Sequence, residues 1–175
     1  DTYYQEILKD LRRYIEYGCA KGGLILKPYI TSSGIQVEYI QADCFYPITF
    51  NSSGDITFCA FVDQLTKGSK IYTRIETHEQ RNGLLHIRNS AYASENDNTL
   101  GNPITLSEVE QWAELAESIS FSGMDKLPFG YFKMPLANTI DNKSPLGVSV
   151  YSRAIEQIKE ADKRYSQICW EYESK

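Results

Sequence analysis

His78 and His86 are the only imidazoles in the chain, and they are the first place to look for chemistry. Both fall in strand-like runs on either side of Asn82-Gly83, a dipeptide suited to a tight hairpin, so the hairpin is expected to bring them near each other. With Glu76 two residues before His78, the trio imitates part of a divalent-metal site. No third or fourth ligand sits at a useful spacing, and histidines on strands are far more often cross-strand or solvent-facing than metal-bound. A nucleophile fares no better. Gly147-Val148-Ser149 lacks the second glycine and the preceding strand of a nucleophile elbow, so Ser149 reads as a helix cap. Glu108 with Glu110, and Glu95 beside Asp97, are carboxylate pairs in polar segments, where water keeps both members ionised. Asn96-Asp97-Asn98 lacks the ordered alternation of a calcium loop. Gly22-Gly23 follows a helix and precedes a strand, the reverse of what a phosphate-cradling loop needs, and reads as a helix stop. Lys9, Arg12 and Arg13 form a solvated helix face. Cys19, Cys44, Cys59 and Cys169 stand singly, with no C-x-x-C pair, which favours reduced thiols over a disulfide framework or zinc. No catalytic, cofactor-binding or metal site is expected, and the chain does not read as an enzyme.

The elements around these residues follow from periodicity. Tyr3, Tyr4, Ile7, Leu8, Leu11, Tyr14 and Ile15 make one helical stripe. Tyr151, Ile155, Ile158, Tyr165, Ile168, Cys169 and Tyr172 make a second, which predicts a long helix from Val150 to Tyr172. Tyr151, Ile155 and Ile158 are expected to pack on the sheet. The end of that helix is expected to stay less buried. Between the helices, short runs alternate with turn residues: 24–30, 35–40, 43–48, 56–65, 70–79 and 84–92, separated by Thr31-Ser32-Ser33-Gly34, Asn51 to Asp55, Thr66 to Ser69 and Arg81-Asn82-Gly83. This is the pattern of an antiparallel meander. Residues 94–103 read as an exposed loop, Leu106 to Trp112 as a short helix with Ser107 at or near its cap, and 118–125 as ambiguous. Leu127 to Pro135 is an extended aromatic run. The fold class expected is α+β: a single domain over 1–175, an antiparallel β-meander packed with an N-terminal helix and a long C-terminal helix, plus one short helix in the 106–117 region.

Composition bounds the function. A formal charge of −5 in 175 residues argues against a free-standing nucleic-acid binder, because phosphate contact needs a basic face. No apolar run approaches the ~20 residues that a membrane-spanning helix needs, so no membrane partner is expected. The 13 tyrosines favour a sheet-rich body, because aromatic side chains suit strands. Both ends fall inside helical patterns, so the chain is expected to be a piece of a longer protein.

Several segments together carry a likeness. Glu16-Tyr17 to Gly22-Gly23, followed by Lys27-Pro28-Tyr29, resembles the E-Y-x-x-A-x-G-G and K-P-Y elements of portal proteins from tailed bacteriophages and prophages of Gram-positive bacteria. Asp43 with Phe45-Tyr46-Pro47 is similar to the A-D-x-F-x-P element that follows. Ala60-Phe61-Val62-Asp63 through Tyr72, Glu76 and His78-Glu79 matches the next part. Phe132-Lys133-Met134-Pro135 with Asn138 resembles F-K-x-P-x-A-N, and Ser144-Pro145-Leu146-Gly147-Val148-Ser149-Val150-Tyr151 resembles S-P-L-G-x-S-x-Y. Lys21 beside Ala20 departs from the family pattern, and 94–125 has no counterpart.

The resemblance implies a structural subunit of a head-to-tail connector, made in the bacterial host cytoplasm and built into the virion at the capsid portal vertex. Such subunits form a dodecameric ring, dock the terminase, meet capsid and head-completion proteins, and let DNA pass without sequence specificity during packaging and ejection. This chain would correspond to the outer wing, with the channel helix and clip beyond Lys175. Tyr165, Ile168, Cys169, Trp170 and Tyr172 would then form inter-subunit surface. The alternative is a non-catalytic phage-associated binding module, whose aromatic sheet face recognises a peptide or glycan.

Overall fold

The computed structural model describes residues 2–31 and 34–174, and of Thr2, Tyr3 and Glu6 the backbone only. Helix α1 spans Thr2–Lys21 and ends at Gly22, whose φ of 89° is the left-handed conformation that glycine adopts without strain. Strands β1 (Gly23–Thr31) and β2 (Gly34–Gln41) follow. Of the turn expected between them, Ser32 and Ser33 lie outside the described residues, as do Asp1 and Lys175.

A 3-10 turn at Ala42–Cys44 replaces the extended backbone expected for Asp43 and Cys44. The chain leaves one sheet for another there and has to turn a corner. Then come β3 (Phe45–Phe50), β4 (Ile56–Lys67), β5 (Lys70–Arg81), β6 (Leu84–Ser94), β7 (Asn102–Ile104), β8 (Ser118–Ser122), β9 (Gly130–Lys133) and helix α2 (Ile155–Glu173).

The β3 to β6 run is the expected meander, all antiparallel. Asn82 at φ 54° and Gly83 at φ 74° make the two-residue turn between β5 and β6. Both central residues at positive φ give the turn whose twist matches that of the strands. The six-stranded sheet has the order β3-β4-β5-β6-β7, with β8 also on β6. A smaller three-stranded sheet runs β2-β1-β9.

The outer edge of β6 is shared. Its first half pairs with β8, Leu84 opposite Ser122 to Arg88 opposite Ser118. Its second half pairs with β7, Ala91 opposite Ile104. The segment between β7 and β8 crosses the gap. It folds as two 3-10 turns, Leu106–Glu108 and Glu110–Trp112, where the periodicity predicts one short helix. Its cap is Thr105 and not Ser107: the Glu108 carboxylate accepts a hydrogen bond from the Thr105 N–H at 3.0 Å. Leu106, Val109 and Trp112 are buried together with Ala91, and Leu65 and Tyr72 pack against them. Asn89 fastens the return, its N–H donating to Glu117 O and its side-chain amide to Ala116 O, both at 2.9 Å. Residues 94–125 thus complete one end of the sheet.

The chain divides into two compact units. One comprises the chain up to Leu24 together with the chain from Tyr131 onward; the other runs from Ile25 to Gly130.

Candidate functional site

Strand β5 carries Arg74, Glu76 and His78 at alternate positions, so all three face one side of the sheet. Register places Asp63, Phe61 and Cys59 of β4 opposite them on that face, and Ala91, Asn89 and Ile87 of β6 on the other flank. Lys27 of β1 is 6% exposed, and its ammonium donates to both oxygens of Glu76 at 3.0 Å. It also pairs with Glu38 of β2 at 2.9 Å. Arg74 donates to the second Glu76 oxygen at 2.8 Å and to Asn89 Oδ1 at 3.2 Å, and it faces Asp63 at 3.6 Å. Asp63 in turn accepts from the indole N–H of Trp112 at 3.2 Å.

His78 completes the carboxylate's shell, with Nε2 2.6 Å from Glu76 Oε1. An ionised carboxylate only accepts, so Nε2 carries the proton. Nδ1 of His78 and Nε of Arg74 are buried with no hydrogen-bond partner among the described residues. Burial pushes the Glu76 carboxyl up, but the His78 hydrogen bond and the Lys27 charge outweigh it and hold the pKa down at about 2. Burial, reinforced by the Glu76 charge, pushes the Cys59 thiol up to about 12. That thiol stays protonated and unreactive.

This network is not a metal centre. Glu76 already holds two cations and a histidine N–H, so an incoming metal ion would have to displace Lys27. Register also separates the histidines: His78 lies opposite Ile87, whereas His86 lies opposite Glu79 on the other face of the sheet. The tight turn does form, but a one-residue offset points the two rings to opposite sides. His86 instead meets Ser120 Oγ at 2.9 Å.

A second constellation lies at the end of α1. Gly22 and Gly147 cross backbone to backbone. A Cβ on Gly147 would stand 2.0 Å from Gly22 O, and one on Gly22 would stand 2.6 Å from Gly147 O. The Met134 N–H donates to Gly22 O at 3.1 Å, the Val150 N–H to Cys19 O at 3.0 Å, and the Gly147 N–H to the Tyr131 phenol oxygen at 3.1 Å. Val148 is buried beside this crossing. Asn138 braces the loop from within, its Oδ1 accepting from the Ile140 and Asp141 N–H groups. Contrary to expectation, Ser149 does not cap α2: its Oγ accepts from the Tyr151 N–H at 3.1 Å in a local turn, and the helix's N-cap is Ala154, with no side-chain cap bond. Tyr151 to Ala154 therefore form turns, and α2 begins at Ile155 instead of Val150.

The helices present the third feature. No residue of α2 is buried. Tyr151, Ile155 and Ile158, expected to pack on the sheet, are 56%, 37% and 52% exposed. The stripe of α2 is left uncovered. Tyr165, Ile168, Trp170 and Tyr172 are 53–81% exposed, with Cys169 half-buried. On α1, Tyr4, Leu8, Ile15 and Tyr17 are exposed as well. The strand aromatics divide: Tyr29, Tyr46, Phe50 and Phe121 are 40–50% exposed, whereas others turn inward. Phe45, Phe61 and Phe129 pack on one another with ring centres 5.3–5.6 Å apart, and Trp112 is buried.

The remaining candidates have ordinary roles. Glu108 is a cap, Asn96 Oδ1 closes a turn on the Asn98 N–H, and Lys9, Arg12 and Arg13 are exposed, with Arg13 lying over the Tyr14 ring.

A family model described as phage portal protein, SPP1 Gp6-like, matches residues 2–174. The chain belongs to the phage portal protein family. No curated protein matches it. That family is structural and non-catalytic, and membership implies a virion component and an oligomeric assembly with phage head components. No helix among the described residues is long and apolar enough to cross a membrane.

The segments that carry the portal likeness are the ones that meet in space. Lys27, Phe45, Phe61, Asp63, Glu76 and His78 lie in or against the buried network. Gly22, Gly23, Phe132, Met134, Asn138, Gly147 and Ser149 lie in or around the glycine crossing. Sequence reasoning missed the network itself. Its signal was Lys27 directly after the apolar run Leu24-Ile25-Leu26 and on the same strand, a cation where a buried strand wants none. A second signal was Arg74, Glu76 and His78 all polar on one strand face that has to be covered.

Proposed function

We propose that this chain is the outer, wing part of a portal subunit, and that in the full-length protein it forms a dodecameric ring at the capsid portal vertex. The ring docks the terminase, joins capsid and head-completion proteins, and passes DNA through its channel without reading sequence. The observation that carries this reading is the uncovered face of α2. Tyr165, Ile168 and Tyr172 put large apolar groups into water along one face of the helix, with Trp170 exposed beside that face, and a contiguous exposed apolar stripe marks a surface that a partner covers. A neighbouring subunit supplies that cover, with Tyr165, Ile168, Cys169, Trp170 and Tyr172 as inter-subunit surface. Phe45, Phe61 and Phe129 pack inward, and the strand aromatics that stay exposed, Tyr29, Tyr46, Phe50 and Phe121, are spread over three strands, which supports the portal reading over a binding module. Electron microscopy of the full-length protein tests the reading. Rings with a central hole are expected, and a monodisperse monomer at assembly concentrations would overturn it.

A further inference from the structure

Two helix faces in the same compact unit stay in water, and their residues are spaced alike. On α1, Ile7, Leu11, Tyr14 and Gly18 form the inner line, half-buried or buried. Beside it runs an outer line of Leu8, Arg12, Ile15 and Cys19, at steps of four, three and four. On α2 the line Ile158, Asp162, Tyr165 and Cys169 repeats those steps. Alternating steps of three and four keep residues on one side of a helix and make the seam along which two helices pack. Leu8, Ile15, Ile158 and Tyr165 are exposed, and the two cysteines are half-buried.

Each line carries one charge at its centre, and the two charges are opposite. Arg12 and Asp162 are exposed, and among the described residues neither enters an ion pair. The charges on the outer face of α2 behave differently: Lys159 pairs with Glu156 at 3.0 Å and Arg164 with Glu160 at 2.8 Å. A charge in the middle of an apolar stripe costs nothing in water. It becomes costly once a partner covers it, unless that partner brings the opposite charge to the same place. Asp162 therefore restricts what can cover α2 to an apolar face interrupted by a cation. Helix α1 presents such a face, with Leu8 and Ile15 on either side of Arg12. Within one chain the two faces do not cover each other, since no residue of α2 is buried.

We infer that α1 of one copy packs along α2 of a second copy, with Arg12 of one subunit against Asp162 of its neighbour. The inference rests on the ring reading above and names the contact that builds the ring. The apolar residues supply the attraction, and the charge pair selects which stripes meet and in which lengthwise register. Because two different helices meet, the contact is head to tail. Repeated about one axis it closes a ring in which every α1 and every α2 is covered.

Charge reversal in the full-length protein tests the contact. Arg12→Glu alone and Asp162→Lys alone are each expected to raise the concentration needed for ring assembly about tenfold or more, because each sets like charges against each other. Arg12→Glu combined with Asp162→Lys is expected to restore wild-type assembly. All three variants alter only exposed, unpaired side chains, so the unassembled subunits are expected to keep the wild-type melting temperature. In mixed rings, a tagged Arg12→Cys subunit and an untagged Asp162→Cys subunit are expected to be joined by a thiol-specific cross-linker above the wild-type background. Single reversals that assemble like wild type, a double variant no better than the singles, or no such cross-link in rings visible by microscopy would overturn the inference and leave the ring reading standing. So would capture by Asp162→Cys of another head protein or of a different segment of this one. Absence of rings in the wild-type protein would overturn the ring reading itself, and the contact with it.

Discussion

Lys27, Glu76 and His78 show how much a buried charge depends on its partners. Each would be expensive alone in an apolar interior, and each is tolerated because the others complete its hydrogen bonds. Such a network adds little net stability compared with apolar packing, yet removing one member leaves the rest uncompensated. Lys27→Met is therefore expected to destabilise the protein by about 3–5 kcal/mol in urea unfolding, despite the similar volume of the side chain. Acid should expose the same dependence. The Glu76 carboxyl, with its pKa lowered from 4.5 to about 2, contributes stability that is fully present above the unfolded-state value. That contribution fades as pH falls from about 4.5 toward 2, because the unfolded chain takes up the proton first. In Glu76→Gln the unfolding free energy is expected to be lower at neutral pH and flatter across that window. A wild-type acid limb no steeper than the variant's would refute the assignment.

At the scale of elements, the fold is joined by short crossings more than by broad faces. Helix α1, the loop from Met134 to Ala154 and the start of β1 meet where two glycines touch, and no other residue fits there. Gly147→Ala puts a Cβ 2.0 Å from a carbonyl oxygen and is expected to cost about 2–3 kcal/mol or to disrupt the crossing. Gly54→Ala isolates the other kind of cost. Its φ of 82° is unfavourable for alanine, whereas Gly147 has no positive φ, and nothing lies within 4 Å of the methyl added at Gly54, so only the backbone cost of about 1–2 kcal/mol remains there. Thermal unfolding reads crowding in the first variant and conformation in the second, and an unchanged melting temperature for Gly147→Ala would contradict the crossing. The same logic explains why α2 starts late: Ser149 and the Gly147 crossing hold the chain in turns until Ile155.

At the scale of the molecule, the two helices and the sheets have different debts to solvent. The sheet carries its own core, whereas α2 keeps its apolar stripe in water. Trp170→Ser with Tyr172→Ser is expected to leave the unfolding free energy of this chain within about 0.5 kcal/mol, since neither side chain is packed. The same changes are expected to shift the full-length protein from rings toward free subunits in sedimentation velocity. A large loss of stability in the isolated chain would mean that the stripe serves the fold and not the assembly. The meander, its turns and both helices were legible in the sequence because alternation, 3.6-residue periodicity and Asn82-Gly83 are local signals. The order of the portal-like segments was legible too, without their physical purpose. Tertiary structure alone decided that His78 and His86 face apart, because pairing register is a long-range property that one residue inverts. It also decided that Lys27 reaches Glu76 across 49 positions, that Gly22 touches Gly147, and that Tyr151 and Ile158 stay in water. Periodicity marks which face of a helix is apolar, but only packing says whether anything lies against it.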